Sequence, residues 1–437
     1  MIKKNFHSFD RGYVTVSSIL KPDRLRFLKD KNNYKKRISR GSGLSYAAVS
    51  FGKDVCSISH KSFNRILFFD VSRKEIEVEP GITLNELYNF LIDYDLHLKI
   101  QPGYSLISVG GCVACNVHGK NQSADGNFKD QVIGINLFHP LHGDLYLSRA
   151  ENSDIFDLTC GGLGLTGHIV SVKLKLQEIV SHFYSVKRTY FADFISSVQY
   201  LKSNKNAFES IYGWHDFNIY NHRFADGIMF SAEFSDDTSF NKSSKLPKTH
   251  TKNHLLPFSL FNNWSSYPLN LIFKAKNKYL NQSTQDTYSF MFPIEAYSCY
   301  YSFFGKTGFC EYQFIIPDKS IILLFDELKK FIFKNRINVS LSSTKYFEGI
   351  QSYLSFCGSG LCLALNFNRD YKSGIFLKFL DKLMIKYSCL PNLSKDSRMP
   401  RTLFDLTYPE ANLFREKLRS FDPKRIFNSE TSIRLGL

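Results

Sequence analysis

The stretch Pro102–Gly126 reads PGYSLISVGGCVACNVHGKNQSADG and combines small residues, hydroxyls and charged side chains. Its centre, Val109-Gly110-Gly111, is followed by a His118-Gly119-Lys120-Asn121 cluster. Glycine lacks a Cβ, so its backbone can approach a ligand closely and adopt positive φ, and free amides can converge on an anion. Ser105 and Ser108 add hydroxyl donors. The composition predicts a loop around a large, planar, phosphate-bearing cofactor, although an ordinary tight turn would use the same glycines.

Two other segments carry small-residue turns. The first, Arg40-Gly41-Ser42-Gly43-Leu44-Ser45-Tyr46, places an arginine and a tyrosine beside two glycines. The second, Cys160–Gly167, formally satisfies G-x-G-x-x-G over residues 162–167. A dinucleotide-binding Rossmann turn needs a strand before these glycines and a helix after them. Here they lead into His168–Leu176, which alternates like a strand, so the context excludes a Rossmann site.

The bulk composition describes a folded enzyme-sized chain. Its 437 residues, 43% hydrophobic and 15% aromatic, are enough for two domains with their own cores. Nine unevenly spaced cysteines do not resemble a disulfide framework. The N-terminus has no apolar signal-peptide core, and no run reaches the ~18 apolar residues of a spanning helix. We therefore expect a cytoplasmic protein.

The net charge of +16 calls for an anionic partner. No helix-turn-helix, zinc-finger or RNA-recognition signature is present, so we expect no nucleic acid. The region 238–285 has no acidic residue and interleaves lysines with apolar side chains, which suits peripheral contact with an anionic membrane surface at the inner face of the cytoplasmic membrane. A basic loop without a partner explains it equally well. The lysines are Lys242, Lys245, Lys248, Lys252, Lys274, Lys276 and Lys278.

Periodicity predicts alternating strands and helices. Two strands (65–69 and 75–79) precede a helix to about residue 94, capped by Thr83 and Glu86, and a strand follows at 131–140. Later strands are expected at 227–234, 310–316 and 360–367, together with a helix capped by Asp318 and helices at 374–387 and 409–419. We expect a sheet covered on one side by helices in this second part.

In this order the three small-residue segments resemble the FAD-binding domain of the vanillyl-alcohol-oxidase (PCMH-type) superfamily. Within it, the sequence is most similar to the decaprenylphosphoryl-β-D-ribose 2′-oxidase family, flavoenzymes that epimerise a lipid-linked ribose together with a reductase. Three later motifs continue the resemblance: Glu311-Tyr312-Gln313-Phe314, Lys345-Tyr346-Phe347 and Lys395-Asp396-Ser397-Arg398. The likeness therefore spans nearly the whole chain.

The resemblance implies an α+β, two-domain PCMH-type fold. An FAD-binding domain (1–178) would be followed by a substrate or cap domain of a sheet plus helices (179–389), and a C-terminal segment (390–437) would return to the FAD domain. FAD would lie between the domains. The residues assigned to it are Arg40, Gly41, Ser42, Gly43, Leu44, Ser45, Tyr46, Gly103, Ser108, Val109, Gly110, Gly111, Cys115, His118, Gly119, Lys120, Asn121, Gly164, Ile169 and Asn392.

The resemblance also implies catalytic roles for Lys395, His118, Lys120 and Tyr46. A lysine sheltered from water near other cations can have its pKa lowered into a useful range, which suits Lys395 for handling the hydroxyl proton. By sequence alone Lys395 could equally pair with Asp396 on a surface turn, His118 could bond a backbone carbonyl, and Tyr46 could pack in a core. The implied substrate-binding residues are Gln313, Lys345, Phe347, Asn366 and Lys395.

The sequence departs from the family pattern at two positions, and one cluster of residues suggests a metal site instead. Leu44 stands where some superfamily members attach FAD to a histidine, so covalent attachment there is excluded and the resemblance implies non-covalent binding. Ala364 stands where mycobacterial members carry cysteine if Asn366 sets the register, so the lipid or sugar could differ. Cys112, Cys115 and His118 lack the second ligand pair of a structural zinc site, and we expect no metal.

The sequence thus predicts an FAD-dependent oxidoreductase acting on CH–OH groups. It would oxidise a sugar secondary hydroxyl to a ketone on a polyprenyl-phosphate-linked pentose of cell-envelope glycan biosynthesis, with a partner short-chain reductase completing epimerisation. Oxidation of an aldonolactone or sugar alcohol is the enzymatic alternative. A non-catalytic, membrane-peripheral flavin-binding protein is the alternative of another class.

Overall fold

The computed structural model describes residues 2–30, 36–235, 256–293 and 298–437, without the side chains of Ser298 and Cys299. Lys242, Lys245, Lys248 and Lys252 of the basic region lie outside the described residues. The described α-helices, in chain order, are α1 (Leu25–Leu28), α2 (Leu84–Leu91), α3 (Val109–Ala114), α4 (Gln122–Asp125), α5 (Ser153–Thr159), α6 (Phe194–Ser203), α7 (Asn263–Tyr279), α8 (Thr287–Met291), α9 (Ile321–Asn335), α10 (Tyr371–Lys386), α11 (Arg401–Thr407), α12 (Ala411–Phe421) and α13 (Glu430–Leu435).

The N-terminal part contains two sheets that together carry the small-residue turns. The first is mixed, in the order β1-β2-β4-β3, and the second is antiparallel, in the order β5-β6-β10-β8-β9. The strands of the first are β1 (Ile2–His7), β2 (Val14–Leu20), β3 (Arg37–Arg40) and β4 (Cys56–Ser59). The strands of the second are β5 (Ile66–Asp70), β6 (Glu75–Val78), β8 (Val132–His139), β9 (Gly143–Ser148) and β10 (His168–Lys175). Two short strands, β7 (Leu96–His97) and β11 (Gln177–Glu178), form a separate antiparallel pair in this part.

Local sequence accounts for much of this arrangement. Thr83 and Glu86 form the predicted capping box of α2, whose apolar face packs into the same core as Val109. The glycines at 162–167 lead directly into strand β10, as the sequence context required. The expected loop at Pro102–Gly126 is wrong in part, because residues 109–114 form helix α3. The Val109 and Gly110 amides there donate to the carbonyls of Ile82 and Pro80.

The second part is built on one eight-stranded antiparallel sheet, in the order β15-β12-β14-β13-β17-β18-β16-β19. Its strands are β12 (Phe183–Phe191), β13 (Ser210–His215), β14 (Gly227–Phe234), β15 (Gln282–Asp286), β16 (Phe309–Ile316), β17 (Val339–Phe347), β18 (Gly360–Asn368) and β19 (Leu390–Pro391). Adjacent residues of β14 point to opposite faces, as a strand requires. Met229 joins the core formed with α6, α9 and α10, whereas Phe230 packs on the other face with Phe273 of α7.

The expectation of helices on one side of this sheet is therefore incomplete, since α7 lies on the opposite face. The expectation that Asp318 caps α9 is also wrong. Helix α9 begins at Ile321 after a 3-10 turn, and the Asp318 carboxylate instead accepts hydrogen bonds from Lys202 Nζ at 2.5 Å and from the Tyr346 hydroxyl at 2.6 Å.

The last residues connect the two parts. Leu390–Pro391 pairs with β16 at one edge of the large sheet. Further on, the Asn428 amide donates to the Arg37 carbonyl and the Glu430 amide donates to the Phe51 carbonyl, both at 2.9 Å. These contacts support our proposal that the chain divides at about residues 178 and 389 and that its end returns to the first domain.

The protein is an α+β fold in which the cavity described below lies between the two parts. Over the residues that the structure describes, no helix combines the length and apolar character needed to cross a membrane.

Candidate active site

One cavity of about 840 Å³ joins the small-residue turns to the inner face of the large sheet. Ligand pockets span about 300–1,000 Å³, so this one suits a large ligand. Most of the residues predicted from the sequence line it. They are Gly41, Ser42, Gly43, Leu44, Ser45, Tyr46, Gly103, Ser108, Gly110, Gly111, Cys115, His118, Lys120, Gly164, Ile169, Gln313, Lys345, Asn366, Asn392 and Lys395. The fold therefore brings together segments more than 300 residues apart in sequence.

Five predicted residues do not line the cavity, and each has a local reason. The Arg40 guanidinium lies over the Phe6 and Phe51 rings and donates to Ser50 Oγ at 2.7 Å. Val109 is fully buried in the core under α2.

Gly119 packs against the backbone of Gln101, so it supports the wall from behind. The Asn121 side chain donates to the Lys99 carbonyl and to Asp125. Phe347 is fully buried beneath His118, with the ring centroids 4.8 Å apart. These five residues therefore lie beside the cavity and not in its lining, and their contact with a ligand stays a prediction.

One end of the cavity is built mainly from backbone. The turn at residues 41–45 crosses the start of α3 so closely that a Cβ on Gly41 would lie 2.0 Å from Ser108 Oγ. Gly43 has φ +73, a conformation that favours glycine. Within the described residues, the amides of Ser42, Gly43 and Leu44 donate to no protein acceptor. Such unpaired amides can donate hydrogen bonds to the oxygen atoms of a phosphate.

His60 also lines this end of the cavity and was missed by the sequence analysis. Burial lowers its pKa to about 4, so the ring is neutral at physiological pH. Both ring nitrogens are buried without a hydrogen-bond partner among the described residues. Buried polar atoms are normally satisfied, so a ligand or an ordered water at this position would find two hydrogen-bonding partners. These nitrogens are where the purine or pyrophosphate of a dinucleotide would find partners.

His118 stands in the other half of the cavity within a chain of hydrogen bonds. Its Nε2 lies 3.3 Å from Gln313 Nε2, and the oxygen of Gln313 accepts from Asn392 Nδ2 at 2.7 Å. Its Nδ1 lies 3.0 Å from the Gly119 carbonyl, which requires a proton on that nitrogen. Burial, assisted by the nearby Lys345, lowers the pKa of His118 to about 3. The ring is therefore a neutral acceptor at Nε2, facing the Gln313 amide.

Lys395 is held at the same end by a carboxylate and an aromatic face. Its ammonium lies 3.0 Å from Glu311 Oε1 and 3.8 Å from the centre of the Tyr46 ring. Glu311 was not singled out by the sequence analysis, although it begins the EYQF motif. The Tyr46 hydroxyl lies 3.0 Å from that of Tyr301, and burial raises the pKa of Tyr46, which stays protonated.

The backbone beside Lys395 is tied directly to the first turn. The Ser394 carbonyl accepts from the amides of Tyr46 and Ala47, both at 3.1 Å. The Ser45 hydroxyl donates to the same carbonyl at 3.2 Å. Lys395 is thus placed against Tyr46 by main-chain contacts as well as by its side chain.

Two further lysines line the cavity, Lys120 and Lys345. The Lys120 ammonium donates to the Phe290 carbonyl and lies over the rings of Phe290 and Tyr212, at 4.2 and 4.7 Å from their centres. Burial lowers the pKa of Lys120 well below its ordinary value, and the pKa of Lys345 is lowered for the same reason. Among the described residues lining the cavity, Glu311 is the sole carboxylate.

The cavity continues between α7 and the large sheet in a branch, here called the apolar branch, whose aromatic and aliphatic side chains lie beside the polar Arg188, Asn270 and Asn277. The Phe273 ring of α7 lies 4.8 Å from Trp214 and 6.4 Å from Phe230, measured between ring centres. Leu269 and Leu341 line the same part. No sequence motif indicated this branch, because its residues are dispersed over four elements.

The cavity fits FAD, and the described residues offer no metal cluster. The amides of residues 42–44, unpaired among the described residues, and the two His60 nitrogens suit the nucleotide part of FAD. The end of the cavity that carries the lysines suits the flavin ring. Within the described residues, no group of three histidine, cysteine, aspartate or glutamate side chains could hold a metal ion. Cys112 and Cys115 are free thiols, and burial raises the pKa of both, which disfavours the thiolate that a metal requires.

Comparison with known proteins points to the same chemistry. Residues 25–145 match the family described as FAD binding domain. The chain is similar to a decaprenylphosphoryl-β-D-ribose oxidase of Mycolicibacterium smegmatis, with 24% identity over 415 residues that cover 92% of this chain and 89% of the relative.

Other relatives share a shorter region. The chain is 28% identical to a mitochondrial L-galactono-1,4-lactone dehydrogenase of Arabidopsis thaliana over 181 residues, which are 40% of this chain and 28% of that enzyme. It is 31% identical to a mitochondrial cytochrome-dependent D-lactate dehydrogenase of the same plant over 165 residues, or 36% of this chain and 29% of that enzyme. The chain therefore contains an FAD-binding domain of the PCMH type over residues 25–145 and is an FAD-dependent oxidoreductase.

Proposed function

We propose that this enzyme oxidises a secondary hydroxyl of a sugar to a ketone, and that the sugar is a pentose linked to a polyprenyl phosphate. A separate short-chain reductase would then complete an epimerisation. The relative that matches nearly the whole chain is named as an oxidase of such a compound. We further propose that the protein acts at the inner face of the cytoplasmic membrane, where a polyprenyl-linked substrate would be found.

The observation that carries the proposal is the arrangement of Lys395, Glu311 and Tyr46 in the wall that also holds His118. Oxidation of a carbinol requires an acceptor for hydride and a group that takes the hydroxyl proton. When bound, FAD supplies the hydride acceptor. The ammonium of Lys395 would donate a hydrogen bond to the reacting hydroxyl and stabilise its oxygen, and the hydroxyl proton would pass to the Glu311 carboxylate beside it.

The remaining polar groups would hold the sugar and its phosphate. The hydrogen-bonded chain from Asn392 through Gln313 to His118 fixes the direction of each polar atom before a ligand enters. Lys345 and Lys120 would face the phosphate, because a buried cation is stabilised by an anion nearby. The apolar branch between α7 and the sheet would receive the first isoprene units.

The test is reduction of the bound flavin by a synthetic short-chain polyprenyl-phosphoryl pentose under anaerobic conditions. We expect loss of the visible flavin absorbance and formation of the keto-sugar, which mass spectrometry would detect. The same pentose phosphate without the prenyl chain should react with a much higher KM, because it leaves the apolar branch empty. Flavin that stays oxidised with every phospho-sugar would overturn the proposal.

A second enzymatic function has a specific observation in its favour. The lactone dehydrogenases resemble this chain over 181 residues. If an aldonolactone or sugar alcohol reduced the flavin while the lipid-linked pentose did not, the substrate would be of that class. A yellow protein reduced by none of these compounds would support the non-catalytic, membrane-peripheral flavin-binding alternative.

A further inference from the structure

Helix α7 has its polarity inverted relative to an ordinary surface helix. A surface helix normally buries its apolar stripe and exposes its polar residues. In α7 the buried residues are polar (Ser266, Asn270, Lys274 and Asn277), and the half-buried Phe273 packs on the sheet beside them. Large apolar side chains face outward, with Trp264 76%, Ile272 65% and Tyr279 90% exposed.

Buried hydrogen bonds and ion pairs fix this orientation. The Lys274 ammonium lies 2.9 Å from Asp216 and 3.2 Å from Asp226, and both carboxylates are buried. Asn270 Nδ2 donates to Asp216 at 2.6 Å, and Asn277 Oδ1 accepts from Arg188 at 3.0 Å. Rolling the helix to cover its apolar residues would strand two buried carboxylates. These buried contacts therefore keep the apolar face of α7 pointing away from the protein.

The outward face is continuous and is flanked by cations. At 3.6 residues per turn, its apolar residues fall within an arc of about 100°. They are Trp264, Pro268, Leu271, Ile272, Ala275 and Tyr279. Exposed Lys276 and Lys278 lie at the two borders of this arc. Phe258, 62% exposed, continues the apolar surface just before the helix.

We propose that this outward face of α7 inserts into the headgroup region of an anionic lipid bilayer. The inference deepens the proposed function and rests on its lipid-linked substrate. The absence of acidic residues from 238–285 in the sequence, together with the lysines at the borders of the arc, favours an anionic lipid surface over a protein partner. Tryptophan and tyrosine are suited to the boundary between headgroups and acyl chains.

The position of α7 links this contact to the active site. Its inner side lines the apolar branch of the cavity through Leu269, Asn270, Phe273 and Asn277. A helix with one side in the lipid and the other on the cavity would let a prenyl chain pass from the bilayer to the sugar-binding end without crossing water. The bilayer therefore forms part of the substrate's route.

The test is co-sedimentation of the FAD-loaded enzyme with vesicles of phosphatidylglycerol and phosphatidylcholine. We expect binding that weakens with added salt and is lost on vesicles of phosphatidylcholine alone. Leu271→Ser/Ile272→Ser should reduce the partition coefficient at least ten-fold. Lys276→Gln/Lys278→Gln should reduce it about 25-fold at low salt, since each lysine near an anionic surface contributes about five-fold. The control is Ile322→Ser/Leu323→Ser, which removes two similarly exposed apolar side chains from α9.

Flavin content and melting temperature would show that each variant is folded. Equal partitioning of the wild type, the α7 variants and the control would overturn the proposal, as would a dimer in solution that Leu271→Ser/Ile272→Ser dissociates. A short-chain substrate in detergent should still reduce the flavin of the α7 variants at the wild-type rate. Vesicle binding without flavin reduction would contradict the proposed function and leave the bilayer contact standing.

Discussion

Lys395 is constrained from two sides. The Glu311 carboxylate lies 3.0 Å from its ammonium and the Tyr46 ring centre lies 3.8 Å away. A cation above an aromatic face is stabilised by about 0.5–2 kcal/mol, depending on how far it is removed from water. The two contacts hold the ammonium at one point of the cavity wall, where a reacting hydroxyl would meet the same donor in each turnover.

Replacement of Lys395 by alanine should abolish most of the chemistry without releasing FAD. The cofactor contacts proposed here run along residues 41–46, 103–111 and 164–169, and of these residues only Tyr46 loses a contact when the Lys395 side chain is removed. We expect the rate of flavin reduction to fall about 10²–10³-fold, the usual cost of removing one hydrogen-bond donor to an oxygen that develops negative charge. Rapid-mixing absorbance under anaerobic conditions measures it, with exposed Lys372→Ala as the control. An unchanged rate would remove Lys395 from the mechanism.

At the scale of the element, α7 is anchored by one buried cation. Burial opposes the charge on Lys274, but Asp216 and Asp226 outweigh that effect and raise its pKa. Removing one partner of a buried ion pair is far more costly than removing an exposed charge, because the partner is left buried and uncompensated.

Lys274→Met should therefore lower the free energy of unfolding by about 3–5 kcal/mol. Chemical denaturation measures the change. Lys276 is two residues further along the same helix and is exposed. The free energy of unfolding of Lys276→Met should therefore stay within about 0.5 kcal/mol of the wild-type value. Adding Asp216→Asn to Lys274→Met should recover part of the loss, since it removes one of the stranded charges. Equal effects of the two single substitutions would contradict the anchoring role.

At the scale of the molecule, several buried histidines remain neutral in the folded state. Burial is the main cause of the lowered pKa in each, and they are His60, His97, His118, His168 and His215. In the unfolded chain such residues titrate near pH 6.5. Below that pH the unfolded state binds more protons, so acid should destabilise the fold.

His97 allows this effect to be measured away from the cavity. Burial lowers its pKa to about 4, and neither ring nitrogen has a hydrogen-bond partner among the described residues. The wild type should lose up to about 1.4 kcal/mol of stability per pH unit through this residue as the pH falls from 6 to 5. His97→Asn lacks that loss, so the stability gap between the two proteins should shrink by the same amount. A gap independent of pH would contradict a buried, neutral His97; exposed His222→Asn is the control.

Much of the secondary structure followed from local sequence, because caps and period-two alternation are local signals. The α2 capping box and strand β10 were predicted from a few neighbouring residues. The local sequence did not show which side of a glycine turn faces the cavity. Arg40, for example, points away from the cavity toward Phe6 and Phe51. Glu311 and His60 were missed for the same reason: their importance arises from partners, or missing partners, set by the tertiary fold.

The orientation of α7 shows this limit most clearly. In an ordinary surface helix the apolar face, here the one with Trp264 and Ile272, is buried. The structure does the opposite because Asp216 and Asp226, about 50 residues earlier, supply buried partners for Lys274. A helical pattern records which residues share a face, and the rest of the fold decides which face points inward.

The carbonyl of Ser394 accepts hydrogen bonds from the amides of Tyr46 and Ala47, nearly 350 residues earlier in the chain. During synthesis Tyr46 therefore leaves the ribosome nearly 350 residues ahead of Lys395, and the two can meet only after the later segment has emerged. A nascent chain stalled before that point lacks the arrangement of Lys395, Glu311 and Tyr46, so the proposed reaction centre is assembled only after Lys395 has been made.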